Sequence, residues 1–150
     1  MCKSNERIRM VEHVLVPVDE SERSREALAY AMEQFPNAEF TALHVLEGGQ
    51  GDLGTFSGMT GDVPDEDRLS EAADSILEDA RRLATEHGVT LHTDRGRGRP
   101  DRLIVRYADE DDVDLVAIGS HGRDGVARVL LGSVAEKVVR RSSVPVLVVR

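Results

Sequence analysis

At 150 residues the chain has the length of one domain, enough to bury a single substantial core. Its 28 acidic against 19 basic residues leave a net charge of −9, which excludes the basic face that a nucleic acid or an anionic membrane would need. A hydrophobic fraction of 40% with only 3% aromatic points to a core of Val, Leu, Ile and Ala, as in a buried parallel sheet.

Residues 1–10 are polar and without period and read as a disordered leader, with the folded domain over 11–150. His13 to Val18 is a short apolar run closed by Asp19, the pattern of a buried first strand. Ser21 or Ser24 can cap a helix whose Leu28, Met32 and Phe35 recur at helical spacing before Pro36 and Asn37 end it. Glu39 to Leu46 reads as the second strand. Residues 47–64, rich in Gly, read as a mobile loop. Asp65 then caps a long helix with a stripe of Leu69, Ala72, Ala73, Ile76, Leu77, Ala80, Leu83 and Ala84, stopped by Gly88. Val89 to Thr93 is the third strand, Pro100 opens a third helix with Leu103, Ile104, Tyr107 and Ala108 inward, and Val113 to Ile118 is the fourth strand. A last helix over Ser133 to Arg141 precedes a fifth strand, Val144 to Val149. Strict alternation of strands and helices implies right-handed crossovers, and so a doubly wound α/β domain with a parallel sheet and helices on both faces.

Cys2 is the single cysteine, so neither a disulfide framework nor a cysteine metal site is expected. No apolar stretch reaches the ~18 residues of a membrane span, and no signal-peptide pattern opens the chain, so a cytoplasmic protein is expected. Lys3 and Lys137 are the only lysines. An acidic, Lys-poor surface suits high salt, where charge repulsion is screened over ~3 Å at 1 M, and equally suits a genome whose codons favour Arg.

The most informative pattern lies after the fourth strand. Gly119 and Gly122 follow the apolar run, and Gly132 and Ser133 open the last helix. A strand end, a turn without side chains and a fresh helix start whose N–H groups have no intrahelical partner together describe a cradle for phosphate. Ser120, His121 and Arg123 add hydroxyl, imidazole and guanidinium donors, with Arg128 nearby. A helix N-terminus alone offers an anion only ~0.3–2 kcal/mol. Micromolar affinity, about −8.2 kcal/mol, therefore calls for a base pocket as well, and hence for a whole nucleotide. A P-loop is excluded because GK[ST] is missing. The run Gly49, Gly51, Gly54 matches G-x-G-x-x-G, but no helix pattern begins directly after it to hold a pyrophosphate.

The segments HVLVPVDES (His13 to Ser21), LHVLE (Leu43 to Glu47) and AIGSHGRDGVARVLLGSVAEKVVRRSSVPVLVVR (Ala117 to Arg150) closely resemble the universal stress protein family. The spacing G-x2-G-x9-G-[ST], here Gly119, Gly122, Gly132 and Ser133, is similar to the signature of its ATP-binding branch. The resemblance implies a five-stranded sheet of order 3-2-1-4-5 and ATP as ligand. Pro17, Val18 and Asp19 would lie beside adenine and ribose, Val45 at the adenine edge, and Ile118 and Gly119 on the ribose. Gly122, Gly132, Ser133 and Val134 would hold the phosphates, with any Mg²⁺ carried mainly by the phosphates themselves. It also implies a homodimer through the last strand, Val144 to Val149, which would otherwise be an exposed apolar edge.

No motif assembles a catalytic site, since His121 stands alone and Ser120 and Ser133 lack a paired base. The expected function is an ATP-binding regulator of the stress response with at most slow hydrolysis or autophosphorylation. Two alternatives remain at this level, a phosphoryl- or adenylyl-transfer enzyme on a related scaffold and an interaction module without ligand.

Overall fold

The computed structural model describes residues 10–46, 66–120 and 131–150. Five parallel strands, β1 (His13–Pro17), β2 (Glu39–Leu46), β3 (Thr90–Arg97), β4 (Leu115–Gly119) and β5 (Val146–Val149), alternate with helices α1 (Glu22–Gln34), α2 (Glu66–His87), α3 (Pro100–Glu110) and α4 (Ser133–Arg141). The sheet order is β3-β2-β1-β4-β5, as the family resemblance implies. The chain reverses its direction of winding between β1 and β4, which pair through Val14 with Leu115 and Leu15 with Val116. Where strand order reverses, the carboxyl ends of the two strands diverge and leave a crevice.

Each face of the sheet carries its own apolar layer. Val14, Val16, Phe40, Ala42 and Ala117 pack under Leu28, Met32, Leu77 and Ala84 of α1 and α2. On the other face Leu15, Leu43, Val116 and Ile118 meet Ile104 and Ala108 of α3 and Ala135 and Val138 of α4. Period-two side-chain alternation in the strands divides the residues this way. Ala72, expected inside the α2 stripe, is exposed, so that stripe is narrower than the sequence suggests.

Strand boundaries differ from the expected ones for physical reasons. The third strand runs on to Arg97 because it pairs with β2 along its whole length, Leu46 opposite Arg97. Backbone pairing, rather than apolarity, sets the length of this polar edge. Arg95 reaches Asp74 of α2, and the Arg81 guanidinium donates to Thr93 Oγ1 at 2.8 Å. The fourth strand starts two residues late because Asp112 sits at φ 53°, a left-handed turn that interrupts the ladder. The fifth starts late because Pro145 has no N–H and the Val144 N–H donates to Ser142 Oγ at 3.1 Å. Ser21, rather than Ser24, caps α1, its hydroxyl oxygen accepting from the Ser24 N–H at 3.3 Å. Gly88, at φ 67°, stops α2 as expected.

The expected leader, the Gly-rich loop 47–64, the cap Asp65 and residues 121–130 with Gly122, Arg123 and Arg128 lie outside the described residues, apart from Met10.

Candidate functional site

The carboxyl ends of β1 and β4 open onto a cleft of about 290 Å³. It is lined by Pro17, Val18, Asp19, Val45, Ile118, Gly119, Ser133 and Val134, all expected from the sequence, and by Ser21, Arg23, Ser24, Leu43, Pro100, Ile104 and Ala135, which were not. Gly132 stands at its edge as the N-cap of α4, with extended backbone at φ −64° and ψ 160°.

The turn after β1 is held by a closed set of hydrogen bonds. Val18 N–H donates to the Leu43 carbonyl at 2.9 Å, which carries the β1–β2 ladder one residue beyond the strand. His44 Nδ1 lies 2.9 Å from the Val18 carbonyl, so this ring nitrogen carries the proton and packs the imidazole against the turn. The Ser21 N–H and hydroxyl both donate to Asp19 Oδ1, the N–H at 2.7 Å. The Asp19 N–H donates to Ser24 Oγ at 3.1 Å, and the Ser24 hydroxyl is positioned to return a proton to the Asp19 or Ser21 carbonyl, both at 3.1 Å. A β1 end, an aspartate and two serines thus fix one another, and the Asp19 carboxylate is oriented before any ligand arrives. Among the described residues its bonds use Oδ1, and Oδ2 can accept from a ligand hydroxyl.

Gly119 has a structural reason beside the expected one. A Cβ there would lie 2.6 Å from the Arg23 carbonyl oxygen and 2.8 Å from its carbon. The missing side chain admits the first turn of α1 against the end of β4, and the room it leaves is filled by the protein's own backbone. Ser120 departs from expectation. It is buried, and its N–H donates to the Val149 carbonyl at 2.8 Å, extending the β4–β5 ladder.

At the opposite wall α4 begins. The first N–H groups of Ser133, Val134 and Ala135 have no acceptor within the helix, and Ser133 is exposed, so its hydroxyl and these amides face the opening. The floor is apolar, from Leu43, Val45, Ile104 and Ile118. Pro100 and Ile104 are set in place through Asp101, a buried carboxylate in the first turn of α3. Arg99 Nε lies 3.8 Å and Arg141 3.5 Å from it, and this pairing ties α3 to the last turn of α4 and offsets the burial of the charge. The sequence signal for it was only a charged residue beside Pro100.

An apolar floor, a carboxylate oxygen and a wall of N–H and hydroxyl donors are the chemistry that a nucleotide's base, sugar and phosphate would need. A rival depression at the amino end of the sheet is larger, about 820 Å³, but six of its lining residues are Glu12, Glu39, Asp109, Asp111, Asp112 and Asp114. Such a lining repels a phosphate. Among the described residues no helix is long and apolar enough to cross a membrane, and no group of three His, Cys, Asp or Glu converges as a metal site.

The sequence model of the universal stress protein family matches residues 10–150. Universal stress protein YxiE from Bacillus subtilis is 36% identical over 151 residues, covering 94% of this chain and all of that one. The solved structure of protein MJ0577, from Methanocaldococcus jannaschii, superposes with a TM-score of 0.75 at 30% identity, covering 94% of this chain and 96% of the other. A universal stress protein crystallised in complex with cAMP superposes with a TM-score of 0.72 at 25% identity, over 95% and 99% of the two chains.

Proposed function

The chain belongs to the universal stress protein family, and from that premise we propose that it is an ATP-binding regulatory protein of the stress response. The observation that carries the reading is the convergence of Asp19, Val45, Ile118, Ser133 and Val134, from four separate elements, on one cleft where the strand order reverses. Adenine lies on the apolar floor beside Val18 and Val45, the ribose against Ile118 with Asp19 Oδ2 accepting a hydroxyl, and the phosphates at the start of α4. Gly132 completes the phosphate wall, Gly122 and Arg123, outside the described residues, are assigned to the phosphates from the glycine spacing and the family resemblance alone, and Mg²⁺ arrives with the phosphates rather than on a protein site. The relative in complex with cAMP supports an adenine nucleotide as the ligand class.

Among the described residues the cleft brings one carboxylate and three serine hydroxyls, Ser21, Ser24 and Ser133, near the ligand, and the one carboxylate–serine contact, Asp19 with Ser21, belongs to the turn that caps α1, which supports occupancy, and not turnover, as the output. The protein acts in the cytoplasm as a homodimer, a second copy covering the apolar β5 edge formed by Val146–Val149. The test is mass spectrometry of ligand released from gently purified protein, followed by calorimetric titration with ATP, AMP and cAMP. An adenine nucleotide with affinity at the micromolar level is expected, together with hydrolysis far slower than one per second. Absence of binding by all three would overturn the reading, and turnover of several per second with Mg²⁺ would replace it with a transferase or hydrolase.

A further inference from the structure

We infer that Arg23 is a residue through which the cleft reads the phosphate charge of its ligand, an inference that rests on the nucleotide reading above. Arg23 lies in the first turn of α1, and its Cβ is 3.2 Å from where a Gly119 Cβ would stand. Its side chain therefore leaves the backbone at the mouth of β4, in the cleft whose far wall is the start of α4. No sequence motif singles it out. It reaches the site only because Gly119 lets the helix come this close.

Charge makes the position consequential. Among the described lining residues the charged ones are Asp19 and Arg23, in a chain of net charge −9. A polyphosphate approaching such a protein meets repulsion, and a local cation offsets it where the anion must sit. Arg23 is also available. Among the described residues its ion-pair partner is Glu26, one turn on at 3.6 Å, with side chains 38% and 53% exposed. An exposed pair of this kind contributes little, so a phosphate able to accept two parallel N–H bonds from the guanidinium displaces the carboxylate. Glu26 then acts as a resting partner that holds the arginine near the mouth of the cleft. The next arginine makes the contrast, since Arg25 turns away to Asp79 of α2 at 3.3 Å. One helix thus carries one arginine for packing and one for the ligand.

The test is calorimetric titration of ATP, AMP and adenosine against the wild-type protein and the variants Arg23→Gln, Arg23→Lys, Glu26→Gln and Arg25→Gln. Arg23→Gln keeps the Cβ and backbone that touch Gly119. It is expected to weaken ATP roughly tenfold, AMP less, and adenosine not at all. Arg23→Lys should recover part of the loss, Glu26→Gln should tighten ATP about twofold, and Arg25→Gln should leave the ratio of ATP to adenosine affinity as it was. Equal losses for ATP and adenosine would assign Arg23 a purely structural role, and an equal effect from Arg25→Gln would reduce it to net charge. Either result overturns the inference while nucleotide binding stands. Failure of the wild-type protein to bind ATP or adenosine would instead remove the nucleotide reading, and this inference with it.

Discussion

The two ends of the sheet are built from the same strands and differ in what their polar groups face. At the amino end the Asp114 carboxylate accepts from the Glu12 and His13 N–H groups at 2.9 and 3.0 Å, and His13 Nε2 lies 2.7 Å from Thr41 Oγ1. The Asp114 N–H donates to the His13 carbonyl at 2.9 Å, so that end of β1 is sewn to β4 by its own backbone and one side chain. At the carboxyl end the Asp19 turn is equally tied on one side, but the start of α4 presents donors outward across a gap. Cavity size alone would choose the amino end, about 820 Å³ against 290 Å³. Chemistry chooses the other, because one opening is walled by carboxylates and the other by amides, hydroxyls and a guanidinium.

Substitutions at the two ends should therefore separate stability from binding. The largest effect is expected from Gly119→Val. The Arg23 carbonyl 2.6 Å from the new Cβ cannot yield without moving α1, and a loss of about 3 kcal/mol or more is expected in urea unfolding. An unchanged midpoint would mean that α1 does not pack as described. Asp114→Ala should cost about 1–3 kcal/mol in the same measurement, since two N–H groups lose their acceptor, while ATP affinity stays at the wild-type value.

Gly132→Val reverses that pattern. The backbone at φ −64° accepts any residue, so stability should fall by less than about 1 kcal/mol, whereas ATP affinity should drop at least roughly tenfold as the branched side chain enters the phosphate space. The smallest effect is expected from Tyr107→Phe. Burial first, and then the Asp94 carboxylate that accepts from its hydroxyl at 2.7 Å, push the Tyr107 phenol well above its ordinary value of 10.0. A group raised on folding stabilises fully below its unfolded pKa and loses that contribution as pH climbs through the folded one. Wild-type stability should accordingly decline above about pH 10, and the variant, measured by thermal melting across pH 8–11.5, should show a shallower decline.

Much of this was legible in the sequence because two signals coincide. Where a strand carries a run buried on both sides, as Phe40 to Leu43 within Glu39–Leu46, or an amphipathic stretch is short, as in Ser133–Arg141, the expected boundaries agree with the structure. β3 was read too short because its outer half, Asp94 to Arg97, pairs by backbone while its side chains face solvent. Of the site, the residues at strand ends and at the α4 start were legible from glycine spacing and family resemblance. Arg23, Pro100 and the supporting Asp101 were not, because they come to the cleft through helix packing that no local pattern encodes. Gly119 was found, but the helix contact that also requires it was not. A glycine at a strand end signals close approach, and only coordinates tell whether ligand or helix is what approaches.

The central claim is that the carboxyl-end cleft is where an adenine nucleotide binds, and amide chemical-shift mapping during titration with AMP tests it most directly. The account predicts that Val18, Asp19, Val45, Ser133 and Val134 shift together and saturate with one affinity, while His13, Thr41 and Asp114 stay in place. Shifts centred on the amino-end depression, or none at saturating AMP, would contradict it.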